Sequence, residues 1–256
     1  VRLANGTVKT WGEAWGSPKA YGALGRIKNP FNPTRVPEWA NAVSIAAGTK
    51  FSCVALKNGK VRCAGDNSYG AMGNGTREKS LMPGDVSGIT AAAKVVAGSQ
   101  FACALLQDHT VQCWGANSMG QMGDGTIGVR YTPVAVQGLK DKVKDIAAGF
   151  EHVCAQLMDD TVQCWGKNTN GQLGDGAVLS TAGNKYSAVP VTPKELGAVK
   201  LLTVGGNHTC AEKADGSRFC FGDNTSGEGG DGNGLKKKST GSGYEAVMSS
   251  VPLKVK

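Results

Sequence analysis

CWGKNTNGQLGDG, from Cys164 to Gly176, is the stretch that decides the fold, because close copies of it recur along the chain. The copies are CAGDNSYGAMGNG (Cys63 to Gly75), CWGANSMGQMGDG (Cys113 to Gly125) and CFGDNTSGEGGDG (Cys220 to Gly232). A degenerate fifth copy runs from Thr10 to Gly25. Recurrence at a fixed period is typical of an array built from one supersecondary unit. Residues that recur serve packing, so we look for function where the copies differ.

Two further anchors complete the repeat. A Gly stands five residues before a Cys in the pairs Gly48/Cys53, Gly98/Cys103, Gly149/Cys154 and Gly205/Cys210, and the glycines are 50, 51 and 56 residues apart. A Pro precedes a short apolar stretch at Pro37, Pro83, Pro133, Pro190 and Pro252. Between the anchors, β-rich runs flank a polar turn, as in FSCVAL-KNG-KVRC, which predicts a hairpin. Units of this length with several short strands are typical of propeller blades.

The recurring residues have structural explanations. Glycine permits the positive φ of tight turns, and we expect Asn67, Asn117, Asn168 and Asn224 to cap those turns with side-chain hydrogen bonds. Trp11, Trp114 and Trp165 hold one repeat position and are predicted to be packing residues. His152 and His208 share another position and are also interpreted as structural.

The repeat resembles that of the regulator of chromosome condensation family, in a bacterial, cysteine-containing form that includes propellers of the beta-lactamase-inhibitor type. The resemblance covers nearly the whole chain. It implies an all-β fold, a β-propeller of about five blades, each a small antiparallel sheet. We assign residues 1–256 to one domain with repeats near 1–47, 48–97, 98–148, 149–204 and 205–256, numbered blades 1 to 5. The two ends read as parts of one split blade; the alternative is a piece of a longer array.

The eight cysteines form four pairs, each ten residues apart: Cys53/Cys63, Cys103/Cys113, Cys154/Cys164 and Cys210/Cys220. A spacing of ten residues is even, and its midpoint falls on the hairpin turn. The two cysteines of a pair therefore lie opposite each other on neighbouring strands, with their Cα atoms about 4.5–5.5 Å apart. Disulfides are therefore predicted. The alternative is that the cysteines are reduced thiols packed as small core residues. A zinc site is not expected, because the sequence lacks the Cys-x-x-Cys spacing usual at such sites.

Paired cysteines predict an oxidising compartment, so we expect an extracellular, cell-surface or periplasmic protein. No apolar stretch is long enough to span a membrane, and we expect no membrane insertion. The net charge of +8 permits anionic partners, although scattered lysines also fit a solvated surface. We do not expect nucleic acid as a partner in such a compartment.

No catalytic motif appears in the sequence, and the protein is predicted not to be an enzyme. We expect no cofactor and no metal. The run from Asp223 to Glu228 carries clustered oxygen ligands but lacks the full pattern of a calcium loop.

The repeats differ in the length of one loop. From the last Gly of the motif to the Pro, blades 2 and 3 use eight residues, blade 4 fourteen and blade 5 twenty, and blade 1 carries an earlier insertion. Loops on rigid scaffolds carry function, and aromatic residues anchor interfaces. The candidate ligand-binding residues are Trp15, Tyr21, Trp39, Tyr186, Lys236, Lys237, Lys238 and Tyr244. The alternative is that these loops cover the imperfect closure of the split blade.

The leading functional hypothesis is an extracytoplasmic binding module that recognises a protein or a cell-surface glycan through the loops of blades 4, 5 and 1, such as the tip of a bacterial surface adhesin. Alternatives are an enzyme inhibitor of the beta-lactamase-inhibitor type, an enzyme with a site in the propeller channel, and a structural module of a larger surface protein. Replacing Trp15, Trp39 and Tyr244 by Ala is expected to abolish binding with little loss of stability.

Overall fold

The computed structural model describes residues 1–11, 33–177, 186–230, 236–237, 244–245 and 248–255. Apart from one turn of 3-10 helix at Pro37–Trp39, every regular element in these ranges is a β-strand. The prediction of an all-β fold is therefore confirmed.

Most of the strands form four antiparallel sheets of four strands, which we name sheets A to D. Sheet A contains β3 (Ala42–Ala47), β4 (Phe51–Leu56), β5 (Val61–Gly65) and β6 (Ser80–Asp85). Sheet B contains β7 (Ala92–Ala97), β8 (Phe101–Leu106), β9 (Val111–Gly115) and β10 (Arg130–Ala135). Sheet C contains β11 (Val143–Ala148), β12 (His152–Leu157), β13 (Val162–Lys167) and β14 (Tyr186–Val191).

Sheet D contains β15 (Leu201–Val204), β16 (His208–Glu212), β17 (Arg218–Asp223) and β20 (Met248–Lys254). Two smaller pairs complete the described strands. They are β1 (Lys9–Thr10) with β2 (Thr34–Arg35), and β18 (Lys236–Lys237) with β19 (Tyr244–Glu245). The last strand, β20, pairs with β17 inside sheet D. Because this pairing does not join it to an N-terminal strand, the blade shared by the two ends stays a prediction.

The sheets and the sequence repeats are offset by one strand. Strand β7, for example, ends the repeat 48–97 but pairs with β8 of the next repeat. Each sheet thus takes its first strand from the end of the preceding repeat. The assignment of one domain with limits at the repeat glycines stays a prediction.

The chain divides into two compact units. Unit 1 consists of Val1–Ser118 and Thr126–Val136 and contains sheets A and B. Unit 2 consists of Met119–Gly125 and Gln137–Lys256 and contains sheets C and D. The loop 119–125 belongs to unit 2 because it packs there: the Trp165 indole nitrogen donates to the Gln121 carbonyl at 2.9 Å.

Each hairpin carries its disulfide where the spacing predicts it. Cys53 lies opposite Cys63 in the register of sheet A, and the other three pairs match in sheets B to D. All four pairs are bonded, with Cα atoms 4.0–4.1 Å apart, slightly closer than expected. The alternative of reduced thiols is therefore wrong. Four disulfides indicate a protein that is not cytosolic.

The motif loops are organised by their buried asparagines. Asn67 is fully buried, donates through Nδ2 to the carbonyls of Thr76 and Glu78 at 3.0 and 3.1 Å, and accepts the Met72 N–H at 2.9 Å. The matching residues Asn117, Asn168 and Asn224 also bond within their own loops. The expected capping role is confirmed.

The motif loops that follow Asn67 and Asn117 each dock onto the tryptophan of the next repeat. The Trp114 indole donates to the Ala71 carbonyl at 2.9 Å, and Trp114 and Trp165 are fully buried. Gly73 permits this approach, since a Cβ there would lie 2.7 Å from the Trp114 ring. The packing prediction is wrong for Trp11, which is 49% exposed.

Candidate functional site

For six of the eight predicted contact residues, the structure does not describe the side chain. Trp15, Tyr21 and Lys238 lie outside the described residues. Lys237 pairs with Tyr244 and Lys236 with Glu245 in the β18–β19 hairpin, but their side chains lie outside what the structure describes. The roles of these residues in binding stay predictions.

Trp39 is a core residue, and its prediction as a contact residue is wrong. It is 1% exposed and belongs to a buried cluster with Val36, Val54 and Ala64. Ala64 holds the repeat position that Trp114 and Trp165 occupy in later repeats. Trp39 therefore fills the volume that the small Ala64 side chain leaves, since protein interiors are close-packed.

Tyr186 is exposed and begins β14 at one end of sheet C. It lies opposite Lys167, the last residue of β13. The Lys167 N–H donates to the Glu151 carbonyl at 2.8 Å, and the Lys167 ammonium forms an ion pair with the Glu151 carboxylate at 2.7 Å. Tyr186, Lys167 and Glu151 thus meet at the same end of the sheet.

Phe150 stands beside Glu151 in the turn between β11 and β12, and sequence reasoning missed it. Its side chain is 55% exposed, yet it is held in place. The Phe150 N–H donates to the Gly206 carbonyl at 2.9 Å, and its ring lies against the Gly206 backbone, where a Cβ would be 2.7 Å from Cε2. The other repeats carry Thr49, Ser99 and Gly206 at this position, a difference that the sequence already contained.

We name the group Phe150, Glu151, Lys167 and Tyr186 the sheet C tip. Its ion pair is partly buried and carries no net charge, and its two aromatic rings are the exposed part. Rigid aromatic side chains lose little conformational entropy when they are buried by a partner. The surface can therefore bind another molecule by covering Phe150 and Tyr186, with Lys167 and Glu151 at its polar edge.

His152 follows Glu151 of the tip and is a buried residue. Its ring is fully buried, and its Nε2 lies 3.0 Å from the Thr209 hydroxyl. That hydroxyl donates to the Gln172 carbonyl at 3.0 Å, so it accepts the Nε2 proton of His152. Burial, followed by the charges of His208 and Lys167, lowers the pKa of His152 to about 3. The imidazole is therefore neutral near pH 7, as suits a structural residue.

The described residues contain no group of three or more His, Cys, Asp or Glu side chains placed to hold a metal ion. In the same part of the chain, no helix has the length and apolar character needed to cross a membrane.

Comparisons with known proteins identify the repeat. Two family models, both described as the regulator of chromosome condensation (RCC1) repeat, match the chain. One matches residues 42–71, 92–121 and 143–172, and the other matches 58–105, 108–156 and 159–211. Among curated proteins, the ultraviolet-B receptor UVR8 of Arabidopsis thaliana is 33% identical over 86 residues, which is 32% of this chain and 18% of the receptor.

Solved structures share the fold. Yeast RCC1 (Prp20) bound to Kap60 matches with a TM-score of 0.82 and 20% identity, over 100% of this chain and 58% of that one. Prp20p of Saccharomyces cerevisiae matches with a TM-score of 0.81 and 21% identity, over 100% and 60%. Human WBSCR16 matches with a TM-score of 0.69 and 20% identity, over 89% and 56%. The chain thus spans less than two thirds of each of these proteins.

The likeness to these structures confirms the β-propeller fold, in which sheets A to D are blades. Because the second family model alone covers more than half of the sequence, the chain belongs to the regulator of chromosome condensation repeat family.

Proposed function

We propose that this member of the regulator of chromosome condensation repeat family is a non-enzymatic, extracytoplasmic binding module that holds a partner protein on the sheet C tip. The observation that carries the proposal is Phe150, an aromatic ring that is 55% exposed while its backbone and ring are seated on Gly206. A preformed, exposed aromatic side chain is the kind of residue that dominates binding energy at protein interfaces.

A protein partner agrees with what the solved relatives are known to bind. The yeast protein was crystallised with Kap60 in one structure, and the other structure was studied together with its binding to Gsp1p and histones. Because this chain is about 20% identical to them, those particular partners do not transfer. What supports a protein partner here is the apolar, charge-neutral character of the tip.

The disulfides support an oxidising compartment, and we place the protein outside the cell, on the cell surface or in the periplasm. Within that setting, a surface adhesin and an inhibitor of a secreted enzyme are both candidate roles. The predicted contacts Trp15, Tyr21, Lys236, Lys237, Lys238 and Tyr244 on the longer loops stay candidate binding residues beside the tip residue Tyr186.

The test compares two ends of one sheet. Phe150→Ala/Tyr186→Ala removes both rings of the tip. Met158→Ala is the matched control, since Met158 is also exposed but follows β12 at the opposite end of sheet C. Each biotinylated protein is used to capture proteins from intact bacterial surfaces, the captured protein is purified, and direct binding is measured by biolayer interferometry.

We expect the double variant to bind the captured protein at least about tenfold more weakly, because losing buried aromatic contacts of this kind costs more than about 1.4 kcal/mol. Met158→Ala should bind like the parent. Equal binding by the double variant would refute the role of the tip. A saturable signal on a glycan array, lost in the double variant and with no captured protein, would replace the protein partner with a surface glycan.

A further inference from the structure

Unit 1 contains a stack of three residues that the comparison of loop lengths does not predict. The Tyr131 ring lies on Gly70, where a Cβ would be 2.8 Å from the ring atom Cδ1. The Arg77 guanidinium lies above the same ring, 4.8 Å from its centroid. Gly70, Tyr131 and Arg77 therefore form three layers, which we name the Arg77 stack.

The stack holds Arg77 in place and leaves its hydrogen-bonding groups available. Arg77 is exposed, and within the part of the chain that the structure describes it forms no ion pair. A guanidinium that stacks on an aromatic face keeps its N–H donors in the plane of the group, free to bind a planar anion with two parallel bonds. Arg77 is thus preorganised to receive a carboxylate.

An exposed aromatic side chain lies next to the stack in the chain. Tyr69 directly precedes Gly70, and its side chain is 47% exposed. The surface therefore combines a cation with apolar and aromatic contact area, the composition of the centre of a protein interface.

The repeat does not require this stack for its own packing. At the equivalent place one repeat later, Gly120 lies under Ala188, with the two residues in direct contact. Ala188 occupies the position of Tyr131, and Ile127 occupies the position of Arg77. Since the glycine packs equally well under Ala188, the Tyr131 ring that supports Arg77 is not required for this backbone contact.

We infer that the Arg77 stack is a docking site for an acidic segment of a partner protein, in which an Asp or Glu carboxylate binds Arg77 and a neighbouring apolar side chain packs on Tyr69. The net charge of +8 attracts such a segment. The exposed Tyr69 side chain favours a peptide over a glycan, because it offers contact area to the apolar side chain of a peptide. The inference concerns a site separate from the sheet C tip, in another unit.

The experiment uses NMR titration of the whole chain with a short peptide of alternating Glu and Phe. A peptide of alternating Gln and Phe removes the charge, and a chondroitin sulfate fragment supplies carboxylate and sulfate without apolar side chains. The readouts are the Kd and the shift of the Arg77 side-chain Nε–H signal.

The variants follow the chain's own repeats. Arg77→Ile copies Ile127 and Tyr131→Ala copies Ala188, so both are expected to fold. Lys57→Ile is the control, since Lys57 is an exposed cation of the same unit in the hairpin turn that follows β4. Melting curves of all variants are recorded alongside.

We expect the Glu peptide to shift the Arg77 signal, and Arg77→Ile and Tyr131→Ala each to weaken binding at least about tenfold, as for a lost charge-assisted pair. Lys57→Ile and Phe150→Ala/Tyr186→Ala should bind like the parent, which separates this site from the sheet C tip. The inference is overturned if the Gln peptide binds equally well, if Lys57→Ile weakens binding as much, or if chondroitin sulfate binds Arg77 more tightly.

Discussion

Trp39 and Phe150 are both large aromatic residues at places where this chain departs from its own repeat, and they have opposite roles. Trp39 is buried in a cluster with Ala64, whereas Phe150 is exposed above Gly206. The difference comes from the residue beneath each ring. The small Ala64 side chain inside the core leaves a volume that the Trp39 ring fills. Gly206, at a turn, lets the Phe150 ring rest on its backbone at the surface. A departure from the repeat is therefore informative once its packing partner is known.

The largest expected effect separates these two residues by stability. Trp39→Ala removes a fully buried indole and should lower the free energy of unfolding by about 3–5 kcal/mol. Phe150→Ala removes an exposed ring and should lower it by less than about 0.5 kcal/mol. Urea denaturation of both variants measures the difference. Similar losses would mean that Phe150 is a packing residue and would break the comparison.

A second prediction concerns the buried histidine that follows Glu151 of the tip. The pKa of His152 is lowered to about 3 in the folded protein, while the unfolded chain binds the proton near its ordinary value of 6.5. Between these values the unfolded state holds more protons, so stability is full above about pH 6.5 and falls as the pH decreases toward 3. Lowering the pH from 7.5 to 5 should cost about 2 kcal/mol from this residue.

His152→Phe tests that cause, because Phe51 and Phe101 occupy the same repeat position. We measure the free energy of unfolding of the variant in urea at pH 7.5 and at pH 5. The difference between the two values should be smaller than in the parent by about 2 kcal/mol, the contribution of His152. An unchanged difference between the two pH values would show that His152 is not the group responsible.

The smallest expected change in stability tests whether Gly206 holds the Phe150 ring in place. Gly206→Ala places a methyl group 2.7 Å from the Phe150 ring, which must then move. We expect the free energy of unfolding to change by less than about 0.5 kcal/mol, while binding of the captured partner weakens several-fold. Gly128→Ala is the control, because open space surrounds a Cβ there. Parent-like binding by Gly206→Ala would mean that the seating of Phe150 is irrelevant.

Much of the fold follows from the sequence, since it depends on contacts inside one repeat. The Cys53–Cys63 hairpin and the Asn67 loop are local, and their spacing predicts them. The contact surfaces depend on pairs of repeats. The exposure of Phe150 depends on Gly206, and the position of Arg77 depends on Tyr131. Loop length, the signal used to choose Trp39, reports nothing about such pairs.

The one-strand offset between repeats and sheets affects how such a chain can change in length. If residues 48–97 were deleted, β3 would be followed directly by β8, β9 and β10, the strands with which β7 forms sheet B. The two remnants would join as one complete sheet of four strands. Duplication of the same segment would add one complete sheet in the same way. The gene can therefore gain or lose repeats cut at these glycines without leaving an unfinished sheet in the protein.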